Sequence, residues 1–326
     1  MKIIEVSNLK KYFYNNNGVL NKVIGNGPQI IQAVQDVSFH INQGNIMALV
    51  GESGCGKTTV ARLILDLIKA DQGDIKFKGR SIYNMNKENF KDYRKNVAFI
   101  AQDFRSSLNP RKLVGEILEE PFKVHPDSFD KKEKDKRIIK ILKLVGLNEK
   151  SLLKFPHEFS GGQARRIGVA RALMLNPQFI VCDEPTSGLD LSISASIINL
   201  MKELKIEFDL TYLWISHNLN VVRFISDYVG VMYLGRIVEI GQTADIFNNP
   251  KHPYTEALIQ SVPSFSKENK EIKRDTLQGE PPSPINPPTG CSFHPRCKYA
   301  KEVCKKEIPL LEKNGENQEV ACYFPL

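Results

Sequence analysis

The stretch Gly51-Glu52-Ser53-Gly54-Cys55-Gly56-Lys57-Thr58-Thr59 follows the apolar run Ile46 to Val50 and opens onto Val60 to Ile68, which has a helical pattern. A buried strand, a glycine-rich turn and a helix in that order make a phosphate-binding loop. Gly51, Gly54 and Gly56 allow backbone conformations closed to other residues, so successive N–H groups can turn inward around phosphate oxygens at a helix N-terminus. Lys57 adds a mobile charge for the outer phosphates, and the Thr58 hydroxyl suits Mg²⁺.

Such a loop needs a strand and helix framework, and the rest of the chain supplies one. Apolar or alternating segments at Lys2 to Lys11, Ala33 to Ile41, Ile75 to Gly79, Asn96 to Ala101, Phe179 to Cys182, Leu210 to Ile215, Tyr228 to Tyr233 and Arg236 to Ile240 read as strands. Helical patterns fall between several of them, which implies an α/β fold with a mostly parallel sheet and right-handed crossovers. Between Asp103 and Phe159 the strands give way to helical patterns, an all-helical insert. The polar stretch Asn15 to Gly27 reads as a loop or hairpin excursion. Beyond Pro250 the chain changes character: a short helix, a polar linker at Ser264 to Asp275, a proline-rich segment and four crowded cysteines suggest a separate small unit.

Three further elements carry chemistry. Asp183-Glu184 ends an apolar strand, where Asp183 suits Mg²⁺ and Glu184 suits the orientation or deprotonation of water. His217 ends the next strand, at the sheet edge where ligands bind. Ser160-Gly161-Gly162-Gln163 opens the helix bearing Arg165, Arg166 and Arg171; Ser160 reads as an N-cap and the loop as a second anion site.

Composition narrows the remaining classes. The net charge of +8 is spread along the chain, and the densest cluster, Asp130 to Arg137, mixes both signs, as on a solvated helix face rather than a nucleic-acid patch. No run of about 18 apolar residues is present, and the N-terminus lacks the pattern of a signal peptide, so a cytoplasmic protein is expected. In that compartment Cys291, Cys297, Cys304 and Cys322 point to metal binding rather than disulfides.

In order and spacing, Gly51 to Thr59, Gln102, Ser160 to Gln163, Phe179 to Glu184, Ser187-Gly188-Leu189-Asp190 and His217 resemble the motif set of ATP-binding cassette transporter ATPases. The resemblance covers about residues 3–250 and implies a RecA-like P-loop NTPase with its helical subdomain at 103–159. It implies that two cassettes close head to tail, with ATP between one subunit's Gly51, Ser53, Gly54, Cys55, Gly56, Lys57, Thr58 and Thr59 and the partner's signature loop at 160–163. Glu184 is then the general base and His217 the contact to the γ-phosphate. Gln102 links Mg²⁺ or water to the insert, Asp190 belongs to the loop that communicates across the dimer, and Phe13, with Tyr12 as alternative, stacks on adenine. Ala164 departs from the family, where Arg or Gln commonly follows the signature; the four signature residues themselves are intact.

The tail resembles the C-terminal extension of oligopeptide and dipeptide importer ATPases, a family that includes nickel importers, through His252-Pro253-Tyr254-Thr255, Gly279 to Pro284 and Gly290 to Cys297. Two regions follow, a cassette at 1–250 and an extension at 251–326. The spacing Cys-x5-Cys-x6-Cys-x17-Cys lacks the tight Cys-x2-Cys knuckle of zinc sites, which favours a [4Fe–4S] cluster; zinc and an unmetallated reduced tail are the alternatives. The resemblance implies a peripheral ATPase on the cytoplasmic face of the membrane, partnered by a second, non-identical cassette, two transmembrane permease subunits and an extracellular solute-binding protein. Other readings are nickel or another small solute as cargo, a soluble cassette ATPase acting on nucleic acid or ribosomes, a GTPase and a non-catalytic cassette. The chain has no second cassette or long coiled coil, Asn21-Lys22-Val23-Ile24 fails as a guanine-reading Asn-Lys-x-Asp, and Glu184, His217 and the signature are all present.

Overall fold

The computed structural model describes residues 1–15, 29–261 and 279–326. The expected excursion after Asn15 and the linker at Ser264 to Asp275 lie essentially outside these residues. The chain divides into two compact units, the first comprising Met1–Ile4, Ile41–Ile46 and Phe77–Ile215, the second Glu5–His40, Met47–Lys76 and Ser216–Leu326.

In the first unit the strands Val97–Ile100, Phe179–Asp183 and Thr211–Ile215 pair in parallel, Val97 opposite Phe179 and Asp183 opposite Ile215. Every residue of the last two strands is buried, which is why they read as unbroken apolar runs rather than alternating ones. The helical insert is present as the helices Phe104–Ser107, Val114–Val124 and Lys131–Leu144, with 3₁₀ turns at Pro126–Ser128, Glu149–Leu153 and Pro156–Glu158. Asp130 caps the third helix by accepting the Glu133 N–H, while Glu133 accepts the Asp130 N–H, so the mixed-charge cluster is the start of a helix that buries Ile138, Ile141 and Leu142.

In the second unit Ile46–Val50 runs parallel to Tyr228–Tyr233, with Met47 opposite Tyr228. Three further strand pairings in this unit depart from the mostly parallel sheet expected. Arg236–Gln242 lies antiparallel to Tyr228–Tyr233, Gln318–Val320 antiparallel to Arg236–Gln242, and Glu312–Lys313 antiparallel to Gln318–Val320. The reason is the connection: Leu234 (φ 43°) and Gly235 (φ 78°) form a two-residue hairpin turn, and a short turn returns the chain antiparallel where a helix would cross it over. The long strands Lys2–Asn15 and Gln29–Asn42 and the strand Gln72–Phe77 neighbour one another in the order 29–42, 2–15, 72–77. Lys2–Asn15 runs through Tyr12, Phe13 and Tyr14, beyond the expected end at Lys11.

The C-terminal residues 279–326 therefore belong to the same compact unit as the phosphate loop, and through Gln318–Val320 they extend its sheet. Among the described residues no helix is long and apolar enough to cross a membrane.

Candidate nucleotide site

In the second unit the phosphate loop leaves Val50 and enters the helix Lys57–Ile64. Two of its glycines are demanded by geometry. A Cβ on Gly51 (φ 149°) would lie 2.2 Å from the Met232 carbonyl oxygen, and one on Gly56 (φ 108°), the helix N-cap, 2.3 Å from that of Ala33. The loop curls around its own lysine: Lys57 Nζ donates to the carbonyls of Gly51 at 2.8 Å and Glu52 at 2.9 Å and lies 3.5 Å from Cys55 Sγ. No acid occupies the helix's first turn, so the positive end of its dipole is unopposed by side chains there. Ser53 and Gly54 are exposed, and Thr58 and Thr59 half-buried. The Cys55 thiol is buried, and desolvation pushes its pKa up against the opposing pull of Lys57, so it packs the loop as a neutral group. Gly235 N–H donates to the Cys55 carbonyl at 2.9 Å, tying the loop to the Leu234–Gly235 hairpin.

The same unit places His217 at this strand end. The Ser216 N–H donates to the Leu49 carbonyl at 3.3 Å, and His217 stands exposed just before Asn218, which caps the helix Leu219–Ile225. Tyr12 is held by its N–H on the Asp71 carboxylate at 2.6 Å, whereas Phe13 is 38% exposed, with Lys11 Nζ 5.6 Å from its ring centre. The exposed ring is the better stacking surface of the two.

In the first unit Asp183 ends its strand buried, and Glu184 follows with φ 46°, a left-handed backbone unusual for glutamate. Gln102 Nε2 donates to Glu184 Oε2 at 3.0 Å. The Glu184 N–H is itself fixed on the Ile215 carbonyl at 2.9 Å, so the carboxylate starts from an anchored backbone. Ser160 and Gln163 form a capping box at the head of the helix Gly161–Leu173: Ser160 Oγ accepts the Gln163 N–H and Gln163 Oε1 accepts the Ser160 N–H. Gly161 follows half-buried, and Gly162 is buried where a Cβ would meet the Ile193 side chain at 2.8 Å. Asp190 caps the helix Leu191–Phe208 through its backbone carbonyl, which accepts the Ser194 N–H.

The arginines of the signature helix do something the sequence did not disclose. Arg165, 1% exposed, donates to the carbonyls of Glu184 (3.2 Å), Ser187 (3.1 Å), Gln102 (3.4 Å) and Pro185, and lies over the Phe104 ring at 4.4 Å. Arg166 reaches the Val145 carbonyl and Ser196, and Arg171 the Ser107 carbonyl. One guanidinium thus knits the signature helix to the backbone of both members of the Gln102–Glu184 pair. A helical spacing that puts Arg165 on the buried face beside Ala164 and Ile167 was the only available signal.

Cys291, Cys297, Cys304 and Cys322 line one pocket together with His252, His294 and the rings of Phe293, Tyr299, Tyr323 and Phe324. All four are free thiols. Burial first, and neighbouring cysteines among the further causes, push Cys291 up to about 11; backbone N–H groups two residues on, at Phe293, Tyr299 and Phe324, pull Cys291, Cys297 and Cys322 the other way. Among the described residues no three His, Cys, Asp or Glu side chains stand close enough to hold one metal ion. Four sulfurs line a common space, a donor set of the kind that zinc and iron–sulfur groups use.

Family models match residues 34–187 as ABC transporter and residues 238–304 as oligopeptide/dipeptide transporter, C-terminal region. The chain is 47% identical over 325 residues to the oligopeptide transport ATP-binding protein AppF of Bacillus subtilis, covering 99% of this chain and 97% of that one. It is 42% identical over 321 residues to the dipeptide transport ATP-binding protein DppF of Haemophilus influenzae, covering 98% and 96% respectively. Among solved structures it resembles the dimeric post-hydrolysis state of the ATP-binding cassette MJ0796 bound to ADP and Pi, at 26% identity and a TM-score of 0.63, over 74% of this chain and 98% of that one.

Proposed function

Because this chain belongs to the ATP-binding proteins of the oligopeptide/dipeptide transporter family, with the ABC transporter ATPase activity and fold, we propose that it powers a peptide importer by binding and hydrolysing ATP. The observation that carries the reading is the joint match of cassette and C-terminal region over nearly the whole chain of peptide-transport relatives.

The N–H groups of the phosphate loop and the Lys57 ammonium bind the phosphates, Lys57 exchanging the Gly51 and Glu52 carbonyls for phosphate oxygens. Phe13 takes the adenine. The Thr58 hydroxyl, the Asp183 carboxylate and Gln102 are assigned to Mg²⁺, which neutralises charge developing on the phosphates. Glu184 accepts a proton from the attacking water, and Gln102, bonded to it, reports its state to the helical insert that follows in sequence. His217 donates to the γ-phosphate. As in the dimeric relative, two cassettes meet, and Ser160 to Gln163 serve the ATP held by the partner, with Asp190 communicating across the pair.

The partner cassette is a related, non-identical chain, and the insert at 103–159 docks two transmembrane permease subunits fed by an extracellular solute-binding protein. The protein is peripheral on the cytoplasmic face of the membrane. Functionally the chain divides into a cassette, 1–250, and an extension, 251–326, whose four cysteines hold a [4Fe–4S] cluster. When bound, the cluster supplies a covalent crosslink to a segment too short for its own core. The spacing Cys-x5-Cys-x6-Cys-x17-Cys, without a tight Cys-x2-Cys knuckle, supports the cluster over zinc.

The test is reconstitution of the chain with the membrane subunits that copurify from native membranes. ATP-dependent peptide accumulation in vesicles is the expected result; ATP turnover stimulated only by nucleic acid or ribosomes would overturn it.

A further inference from the structure

The phosphate loop is held from outside by the C-terminal region. Arg296 makes a forked ion pair with Glu52, Nη1 to Oε2 at 2.7 Å and Nη2 to Oε1 at 3.1 Å, between residues 244 positions apart. The Arg296 side chain is 5% exposed and that of Glu52 26%, so the pair is shielded rather than a surface contact. Tyr254 grips the same residue at its backbone: the Glu52 N–H donates to Tyr254 Oη at 2.9 Å. The Glu52 carbonyl accepts Lys57 Nζ. One loop residue is therefore fixed at N–H, carbonyl and carboxylate by three side chains, two of them from the extension.

Those two are themselves rigidly set. Tyr254 packs against Tyr233 with ring centres 4.6 Å apart and against Phe293 at 5.4 Å, and Phe293 meets Tyr233 at 5.3 Å. Arg296 lies in the tight turn His294–Arg296, its N–H on the Phe293 carbonyl, and its guanidinium reaches Tyr233 Oη at 3.4 Å. Glu280 to Pro284 line a pocket with Glu52 to Cys55, and Pro284 accepts the Gln32 N–H, so a second stretch of the extension lies beside the loop. A tail that needed only an anchor would have no reason to converge on the residue whose carbonyl holds the phosphate-binding lysine.

We propose that Arg296 and Tyr254 are positioning residues for ATP binding: the extension presets the phosphate loop by fixing Glu52, and so aims the loop's N–H groups and Lys57 before the nucleotide arrives. This rests on the loop being the ATP site and is independent of the cargo and of which group the cysteine pocket takes.

The experiment titrates ATP against the full-length chain and its variants Glu52→Gln, Arg296→Lys, Arg296→Gln, Tyr254→Phe and the double Glu52→Gln/Arg296→Gln, with kcat and KM read in the assembled transporter. Glu52→Gln and Arg296→Gln should each weaken ATP binding about fivefold, as for loss of a charge-assisted contact. The double variant should be no worse than the weaker single, because both act through one contact. Arg296→Lys, keeping charge but losing the fork, should fall between, and kcat at saturating ATP should stay within about twofold. ATP affinity unchanged in Glu52→Gln and Tyr254→Phe, whatever their melting temperatures, overturns the proposal, as does a double variant whose loss is the product of the singles. Should Arg296→Gln not fold, the near-isosteric Glu52→Gln decides alone. A failure of peptide transport would leave these affinities untouched.

Discussion

Gln102 donates its side-chain amide to the Glu184 carboxylate across 3.0 Å, joining the start of the helical insert to the strand end after Asp183. Glu184→Gln keeps an oxygen that can accept this bond while removing the basic carboxylate, so ATP binding is expected to persist. Turnover in the reconstituted complex should fall by about 10²–10⁴-fold, the usual worth of a general base. Near-normal turnover with intact ATP binding would remove Glu184 from that role.

Arg165 holds the backbone under this pair. In Arg165→Met four carbonyls, those of Gln102, Glu184, Pro185 and Ser187, lose their donor. Unfolding stability should drop by about 2–4 kcal/mol, the scale for stranding buried acceptors. Below the melting transition, ATP turnover should also fall while ATP affinity is retained, because Glu184 is displaced and the phosphate loop is not. Urea denaturation and ATP titration measure the two parts separately; a folded Arg165→Met chain with full turnover would make the arginine a packing residue only.

The contrast between these residues shows how far the sequence carries. The positions of Lys57, Asp183, Glu184 and His217 were legible because each stands at a strand end or loop whose local pattern spans fewer than ten residues, and the chemistry proposed for each follows from residue type. Arg165 was legible only as part of a helix, since its hydrogen-bond partners lie 19 to 63 positions away and are backbone carbonyls, which leave no trace in side-chain identity. Arg296 and Glu52 were each visible, but nothing local links residues 244 positions apart. The same limit explains the sheet. Leu234–Gly235 turns the chain back as a hairpin although leucine is not a usual left-handed residue, and Gln318–Val320 joins the sheet from a tail whose prolines and cysteines suggested a unit apart.

His252 supplies a pH dependence. It is fully buried, its Nδ1 accepts the Tyr254 N–H at 3.0 Å, and desolvation lowers its pKa from 6.5 to about 3. The folded state therefore keeps the ring neutral while the unfolded chain takes up a proton below 6.5, so this contribution to stability is complete above that pH and is lost as pH falls toward 3. The slope approaches about 1.4 kcal/mol per pH unit. Glu239, which accepts the N–H groups of Lys251 and His252 and whose carboxyl burial pushes up, works in the opposite sense. Comparison with His252→Asn, which retains a capping acceptor, isolates the imidazole: its melting temperature should depend less on pH between 4 and 6.5 than that of the wild type. Parallel pH profiles would rule the imidazole out.

The four-cysteine pocket separates its candidate occupants by analysis. Anaerobically purified protein should carry iron and acid-labile sulfide in equal amounts with visible absorption, all lost when Cys291, Cys297, Cys304 and Cys322 are changed to Ser. Removing the metal should lower the melting temperature, since the extension shares a compact unit with the phosphate loop. Stoichiometric zinc without iron would reject the cluster.

Ser160 has two separable roles, and two substitutions tell them apart. As N-cap it accepts the Gln163 N–H, so Ser160→Ala should cost about 1 kcal/mol of stability. Aspartate caps a helix about as well as serine, so Ser160→Asp should leave the isolated chain nearly as stable as the wild type. Its carboxylate, however, would face a phosphate if the signature loop completes the ATP site of a partner cassette, and like charges there oppose closure. Ser160→Asp is therefore expected to abolish turnover in the assembled transporter while ATP still binds to the isolated chain through its own loop. Turnover that instead followed stability, Asp near wild type and Ala lower, would confine Ser160 to capping and leave the partner's ATP without its second loop.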